Sequence, residues 1–216
     1  GDSALGAIGS GNGTTVAATG FLDFRNVLYA DNEAITVNGG TLSTSSGTSV
    51  FPGTIALQTS AASIVLSNSA SSLTLDGVVS GPQGFLKSGT GTLVLTQANT
   101  FVGPLTVSAG GLVITGSTAV ASAVTINNGS LSGTGTIGGP LSVSNVGNLS
   151  PGLSASTGIL HTANVALASG SNFLVNINGS TASTQYDQLD VNGTIDLTGA
   201  DLFLVGAFVP SVGQSF

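Results

Sequence analysis

The stretch Leu86-Lys87-Ser88-Gly89-Thr90-Gly91-Thr92-Leu93-Val94-Leu95 decides the fold of this chain. In its second half, Leu93 and Leu95 occupy alternate positions, which is the pattern of a strand that buries one face. The small residues before them, Ser-Gly-Thr-Gly, are typical of a tight corner, because glycine tolerates backbone conformations that other residues avoid. The stretch therefore predicts two short strands separated by a corner that contains glycine.

A related unit recurs along the chain, and its spacing predicts the architecture. The unit is Thr or Ser, Val or Ile, a few small polar residues, Gly, one further residue and Leu; it covers residues 36–42, 106–112, 125–131 and, more loosely, 142–149. The last three copies follow one another at intervals of about 20 residues, the short end of the range for solenoid repeats. One such unit cannot bury its apolar face alone, but stacked copies form a continuous core. We therefore predict an all-β chain, a single β-solenoid over residues 1–216, with about ten rungs stacked about 4.8 Å apart.

The composition fits a folded protein whose surface carries hydroxyl and amide groups in place of charges. Hydrophobic residues make up 41% of the 216 residues, charged residues make up 5%, and the mean hydropathy is +0.49. A disordered chain combines low hydrophobicity with high charge, so disorder is excluded. The surface is expected to be solvated by Ser, Thr, Asn and Gly.

Charge and cysteine content exclude several kinds of partner and site. The formal net charge is −7, from nine acidic residues against Arg25 and Lys87. Two basic groups cannot neutralise a track of phosphates, so nucleic acid is excluded as a partner and an anionic membrane surface is disfavoured. The absence of cysteine rules out disulfides and cysteine metal sites. No apolar run reaches the roughly 18 residues of a transmembrane helix, and the composition as a whole fits a secreted bacterial protein.

From Gly84 to Ile114 the chain resembles the autotransporter-associated β-strand repeat, also called the passenger-associated transport repeat. The positions that match the family pattern are Gly84, Leu86, Lys87, Gly89, Gly91, Thr92, Leu93, Leu95, Asn99, Thr100, Phe101, Gly103, Val107, Gly110 and Leu112. Leu105 and Gly111 stand where the family usually has Thr, at strand-face and corner positions that leave the fold unaffected. Residues 133–216 look like the rungs that follow this repeat in passenger proteins. The resemblance implies a right-handed parallel β-helix that is carried on the bacterial surface or released.

The function that the resemblance implies is structural. We expect a non-catalytic extracellular or cell-surface element, part of a longer secreted protein, that serves as a stalk, an adhesion surface or a cell–cell contact. The expected partners are copies of the chain itself, end to end or side by side, and surface glycans or other cell-surface proteins. Two alternatives stay open. One is a self-assembling subunit of an extracellular filament or matrix fibre, which the low charge and the open strand edge of a solenoid end favour; the other is a polysaccharide-active β-helix enzyme.

The enzyme alternative depends on paired carboxylates, because glycosidases use two carboxyl groups about 5–10 Å apart. Asp31 and Glu33 are two positions apart beside Tyr29 and would share a face of an extended segment. Asp187 and Asp190 are three positions apart, would face opposite ways in a strand, and lie in a Tyr-Asp-x-Leu stretch that recurs in the family, so a corner role is favoured.

Two further residues carry ionisable groups that could do chemistry. His161 is the sole histidine and has no Cys or Ser partner in a nucleophile motif, so we interpret it as a polar residue on a strand face or corner. Lys87 is interpreted as a solvated side chain beside the Gly89 and Gly91 corner, with a docking contact as the alternative. The prediction is therefore that the chain has no catalytic, metal-binding or cofactor-binding residue and needs no cofactor.

Overall fold

The structure is a computed structural model that describes residues 13–58, 62–154 and 156–215. Within these ranges the chain consists of short β-strands joined by corners and loops, without a helix. The first strands are β1 (Thr14–Ala17), β2 (Phe21–Arg25), β3 (Ile35–Asn38), β4 (Thr41–Ser46), β5 (Thr48–Phe51), β6 (Ile55–Leu57), β7 (Ala62–Leu66), β8 (Ser72–Leu75) and β9 (Val79–Ser80).

The remaining strands continue the same pattern towards the C-terminal end. They are β10 (Phe85–Ser88), β11 (Thr92–Leu95), β12 (Leu105–Val107), β13 (Gly111–Ile114), β14 (Ser117–Thr118), β15 (Val124–Ile126), β16 (Ser130–Gly133), β17 (Thr136–Ile137), β18 (Leu141–Val143), β19 (Asn148–Pro151), β20 (Ile159–Thr162), β21 (Val165–Leu167), β22 (Asn172–Asn176), β23 (Gln188–Val191), β24 (Ile195–Asp196) and β25 (Asp201–Val205).

Consecutive strands belong to different sheets, and each turn of the chain returns to the same sheet one rung further on. The first face contains β2, β4, β7, β10, β12, β15, β18, β21 and β24, and the second contains β5, β8, β11, β13, β16, β19, β22 and β25. The third face contains β1, β3, β6 and β9 in the N-terminal half and β14, β17, β20 and β23 in the C-terminal half. All neighbouring strands within these faces are parallel. The predicted all-β parallel solenoid is confirmed.

The core is built from side chains that stack in columns along the axis. On the first face, Phe85 pairs with Leu105, Leu105 with Val124, and Val124 with Leu141, and all four are buried. Alternate residues of a strand point to opposite faces of the sheet, so the residue between two buried ones points outward. The short strands read buried, half-buried, buried for this reason, as Val124–Ile126 does. The alternation predicted for Leu93 with Leu95 and for Leu105 with Val107 is confirmed, since each of these side chains is fully buried.

The rungs differ in length, so the chain forms fewer of them than predicted. Asn127 and Ser144, on adjacent rungs, are 17 residues apart, whereas His161 and Asp190, also on adjacent rungs, are 29 residues apart. The extra residues form loops between the strands of the C-terminal rungs. In the ranges that the structure describes, the longest face contains nine strands, and the prediction of about ten rungs is slightly too high.

The stacking of columns predicts a sharp difference between neighbouring positions of one strand. Replacing Ile126, which is fully buried, with Ala should lower the free energy of unfolding by about 2–5 kcal/mol, because the deleted atoms leave a cavity between two rungs. Replacing its neighbour Thr125, which faces outward, with Ala should change it by about 0.5 kcal/mol or less. Urea unfolding followed by circular dichroism measures both. Equal losses for the two variants would contradict the stacked-column core.

Candidate functional site

Lys87 is part of the core. It lies on β10 between the outward-facing residues Leu86 and Ser88, and it pairs in register with Ile64 of the preceding rung and Val107 of the next. Its side chain is fully buried, with 0% exposure. The prediction of a solvated side chain is therefore wrong. The alternation of the strand places position 87 inside, and this outweighs the preference of an ammonium group for water.

The buried ammonium group is held by backbone carbonyl groups. Lys87 Nζ donates hydrogen bonds to the carbonyl oxygens of Gly91 at 2.7 Å, Gly89 at 2.8 Å and Ala109 at 2.8 Å, while the Ser88 carbonyl oxygen lies further away at 3.4 Å. An ammonium group has three N–H donors, so the three close acceptors match its full capacity. We call this arrangement the lysine cage: Lys87 Nζ with the carbonyl oxygens of Gly89, Gly91 and Ala109. The Ala109 contact joins one rung to the next.

The lysine cage depends on glycine at two corners. Gly89 has a φ of 74° and Gly110 has a φ of 70°, in the left-handed region that favours glycine. A Cβ atom on Gly110 would also lie 2.6 Å from Lys87 Nζ. Any other residue at position 110 would therefore strain the backbone and displace the ammonium group. At Gly89 and Gly91, the glycines of the predicted corner, a Cβ atom would lie 2.1 Å from the Leu66 carbonyl oxygen and 2.5 Å from Ser71 Oγ, so the preceding rung leaves no room for a side chain.

Burial lowers the pKa of Lys87 from its usual 10.5 to about 8. Among the residues that the structure describes, Arg25 forms an ion pair with Asp23 and His161 lies beside Asp190, and neither carboxylate contacts Lys87. Lys87 therefore has carbonyl dipoles around it, without a carboxylate to balance its charge. Such an environment satisfies the hydrogen bonds of the ammonium group but does not fully replace its hydration.

Asn99 fills a gap in the third face. The strand β9 ends one half of this face at Ser80 and β14 begins the other half at Ser117, and Asn99 lies on the rung between them. Its side-chain Oδ1 accepts a hydrogen bond from the Val79 backbone N–H at 2.9 Å. Its Nδ2 donates to the carbonyl oxygens of Gln97 at 2.8 Å and Ser117 at 3.1 Å. The amide side chain thus continues the backbone ladder across a rung where the third face has no strand.

An aromatic pair packs beneath the same rung. Phe101 is fully buried, and its ring centroid lies 5.5 Å from that of Phe85 in an edge-to-face arrangement. Such pairs contribute about 0.5–1.5 kcal/mol beyond the area that they bury. Lys87, Asn99 and Phe101 all belong to the pattern of the sequence resemblance. The sequence alone does not predict this role of Asn99, because an asparagine next to Thr is equally typical of a turn.

The two residues of the first candidate acid pair differ in burial and in hydrogen bonding. Glu33 is buried, and its carboxylate accepts hydrogen bonds from Thr14 Oγ1 at 2.8 Å and from Tyr29 Oη at 3.1 Å. Asp31 is half-buried in a segment that is not a strand, so the two carboxylates do not present a common extended face. Glu33 therefore joins β1, through Thr14, to the segment that contains Tyr29.

The second candidate pair is divided between the interior and the surface. Asp187 is buried, and its Oδ1 accepts a hydrogen bond from Gly158 N–H at 3.0 Å. Its Oδ2 accepts from the backbone N–H and from the side-chain Nδ2 of Asn176, at 3.0 and 2.6 Å. The carboxylate therefore joins the end of β22 to the segment before β20. Asp187 precedes β23 and has the predicted corner position, whereas the corner role is wrong for Asp190, which lies within that strand. Asp190 faces solvent on β23 and has a different partner.

That partner is His161, which lies on the outer face of β20 directly opposite Asp190. His161 Nδ1 lies 2.8 Å from Asp190 Oδ2, and the two side chains are 47% and 59% exposed. The structure thus places His161 on a strand face. In the described part of the chain, no group of three or more His, Asp or Glu side chains is arranged to hold a metal ion. Nor do the described residues include a helix long and apolar enough to cross a membrane.

Comparison with known proteins identifies the segment that contains the lysine cage. Residues 85–114 match the family described as Passenger-associated-transport-repeat, and the resemblance predicted from the sequence is confirmed for this segment. The match covers β10 to β13 and therefore includes Lys87, Asn99 and Phe101. Neither the curated proteins nor the solved structures that were compared with the chain include a match.

The lysine cage predicts the effect of removing the ammonium group. Lys87→Met keeps the length of the side chain but leaves the carbonyl oxygens of Gly89 and Ala109 without their charged donor, while Gly91 still accepts from Gly111 N–H at 3.1 Å. Each orphaned buried group costs about 1–3 kcal/mol, and the loss of a buried charge offsets part of this cost. We expect the free energy of unfolding at neutral pH, measured with urea, to fall by about 2–4 kcal/mol. The matched control is Leu86→Met at the neighbouring outward position, which should stay close to wild type.

The depressed pKa of Lys87 predicts how stability depends on pH. Folded Lys87 releases its proton near pH 8, whereas the unfolded residue holds it until about pH 10.5. Between these values the unfolded state binds more protons, so the free energy of unfolding rises with pH. The rise should approach about 3 kcal/mol across this window and be absent below pH 8. Urea unfolding at several pH values measures it, and subtracting the Lys87→Met data removes contributions that both proteins share. A difference that stays flat from pH 7 to pH 10.5 would contradict a buried, charged Lys87.

Proposed function

We propose that this chain is a non-catalytic structural element of a secreted or surface-displayed passenger protein, in which it serves as a rigid stalk and presents a surface for adhesion or cell–cell contact. The proposal depends on how the polar side chains of the repeat at residues 85–114 are hydrogen-bonded. Its two most polar buried side chains, Lys87 and Asn99, have all their hydrogen bonds inside the fold. The polar groups of these two side chains therefore join neighbouring rungs.

Rigidity supports the stalk role. Backbone hydrogen bonds between parallel strands join each rung to its neighbours. The lysine cage and Asn99 add side-chain hydrogen bonds at the rung where the third face has no strand. Nine strands of the longest face, at the usual spacing of paired strands, span about 40 Å. A surface with few charges and many hydroxyl and amide groups suits contact with neutral glycans or with other surface proteins, since it presents little charge to repel them.

The non-catalytic part of the proposal rests on the dispersal of the candidate acids. Glu33 and Asp187 are buried and hydrogen-bonded within the fold, whereas Asp190 is paired with His161 at the surface. Turnover of a neutral or anionic polysaccharide that is lost in Asp31→Asn or Glu33→Gln would refute this part of the proposal.

An adhesion assay tests the surface role. Polystyrene beads coated with the folded chain should attach to bacterial or host cells more than albumin-coated beads do, because the hydroxyl and amide groups of the folded surface are available for contact. Beads coated with an equal amount of heat-unfolded chain provide the control for nonspecific stickiness. Attachment no greater than that of albumin would count against adhesion, and small-angle X-ray scattering that shows an expanded chain instead of a rod would count against the stalk.

A second candidate function is a subunit of an extracellular filament. It is favoured by the low content of charged residues, which make up 5% of the 216 residues, so little charge repulsion opposes the association of copies. Negative-stain electron microscopy at high protein concentration tests it: fibres support the filament, and compact particles of constant size oppose it.

A further inference from the structure

Asn128 lies at the exposed corner between β15 and β16 and is followed by Gly129. The sequence contains five such Asn-Gly pairs, which begin at Asn12, Asn38, Asn128, Asn178 and Asn192. Asparagine and glycine both suit corners, but the pair also has a reactivity of its own. The backbone nitrogen of the glycine can attack the side-chain amide of the asparagine, because glycine has no side chain that blocks the approach. Asn12 lies outside the described residues.

The corner is anchored on both sides, whereas the nitrogen at its centre is unpaired. Asn127 N–H donates to the Val107 carbonyl oxygen at 2.9 Å. Ser130 N–H donates to the Gly110 carbonyl oxygen, also at 2.9 Å. Among the described residues, none accepts a hydrogen bond from Gly129 N–H. The nitrogen that would attack therefore does not have to leave the backbone ladder first.

The side-chain amide of Asn128 is exposed and has no hydrogen-bond partner in the part of the chain that the structure describes. A nearby asparagine on the next rung is used differently: Asn148 Oδ1 accepts a hydrogen bond from Asn172 Nδ2 at 2.8 Å. The Asn128 side chain can therefore turn its Cγ atom towards the Gly129 nitrogen without breaking a contact.

Packing requires glycine at position 129. A Cβ atom there would lie 2.6 Å from the Gly110 carbonyl oxygen and 3.0 Å from Val107 Cγ1, both on the preceding rung. The residue that makes Asn128 reactive is thus fixed by the contact between rungs. The corner also has neighbours on both sides, since β12 and β13 precede it and β18 and β19 follow it in the two sheets.

We propose that Asn128 is a site of spontaneous modification, at which water converts the side-chain amide to a carboxylate. The Gly129 nitrogen loses its proton to solvent and bonds to Asn128 Cγ. The Cγ–Nδ2 bond breaks, and the side-chain nitrogen takes up a proton and leaves as ammonia, so that a five-membered cyclic imide remains. Water then opens the imide at one of its two carbonyl groups. Opening at Cγ gives aspartate, and opening at the backbone carbonyl gives isoaspartate, whose main chain runs through Cβ and Cγ.

Either product changes the corner. The sequence has no acidic residue between Asp76 and Asp187, so the new carboxylate places a negative charge where the solenoid otherwise has no acidic group. Isoaspartate also adds one carbon–carbon bond of about 1.5 Å to the main chain. The addition lies between Asn127 and Ser130, whose N–H groups join the corner to the preceding rung. We therefore expect isoaspartate to weaken the contact between these rungs.

Asn38 provides the matched comparison within the same chain. In both pairs the asparagine is exposed and the glycine is half-buried. Asn38, however, belongs to β3 and pairs in register with Ala17 of β1, and Gly39 forms an antiparallel bridge with the same Ala17. The Gly39 nitrogen can move towards the Asn38 side chain only after this pairing opens, and such local opening costs free energy. Unfolding removes this difference between the two pairs.

Incubation of the whole chain at mildly alkaline pH tests the proposal, because the attack begins with the loss of a backbone proton. Mass spectrometry of chymotryptic peptides measures the conversion rate at each pair, and the same incubation in guanidinium chloride gives the rates of the unfolded chain. Folding should slow the reaction of Asn38 at least about tenfold more than that of Asn128. Equal slowing at the two pairs, or an unmodified Asn128 in folded chains that have reacted at Asn38, would overturn the proposal.

Asn128→Gln is the control variant, since glutamine keeps an amide at the corner but would have to form a six-membered ring, which closes more slowly. After the same incubation, electron-transfer fragmentation should identify isoaspartate at position 128 of the wild-type chain. The incubated wild-type chain should also unfold at a lower urea concentration than incubated Asn128→Gln. An equal loss of stability in both chains would place the damage elsewhere and refute the expected effect on the rungs. The modification goes beyond the stalk and adhesion roles, and none of these measurements depends on attachment to cells.

Discussion

Parallel strands that return to the same face after each turn impose one constraint on this molecule: whatever faces inward on one rung lies directly above and below the inward residues of its neighbours. The columns that run through Phe85, Leu105, Val124 and Leu141 obey it with apolar side chains of varied shape. Corners obey it with glycine where the chain must turn close to the rung beneath. Loops between the strands are free of the constraint, and the C-terminal rungs lengthen there without disturbing the ladder.

Lys87 and Asn99 lie where this constraint is hardest to satisfy. At the corner of β10 and β11, three carbonyl oxygens point to one place, and the ammonium group of an inward-facing lysine occupies it. On the same rung the third face has no strand, and the Asn99 amide supplies the donor and acceptor that a strand would have supplied. Both residues satisfy backbone groups that would otherwise be buried without partners. The stacking of rungs thus explains why these two polar residues of the passenger-type repeat are buried.

The features that the sequence predicted depend on neighbouring residues, whereas those that it did not predict depend on contacts between rungs. Alternation along Leu93 and Leu95 and the recurring glycine corners were enough to predict the parallel solenoid, because each depends on neighbours in sequence. Lys87 was assigned to solvent although alternation places it on the same face as Phe85; its charge was given more weight than its position, and the carbonyl groups that stabilise it include one from the next rung. Asn99 could not be assigned because its partners, Val79 and Ser117, lie a full rung away on either side. The rung count was too high because loop lengths obey no period.

The burial of Lys87 has a consequence for proteolysis. Trypsin-like proteases cut after lysine or arginine, and the whole sequence offers them only Arg25 and Lys87. The Lys87 side chain that such an enzyme must bind is sealed between rungs, so cleavage there requires the corner to open first, and its rate follows the small population of opened molecules. The residue that joins the rungs is therefore itself protected from trypsin-like proteases by the same burial.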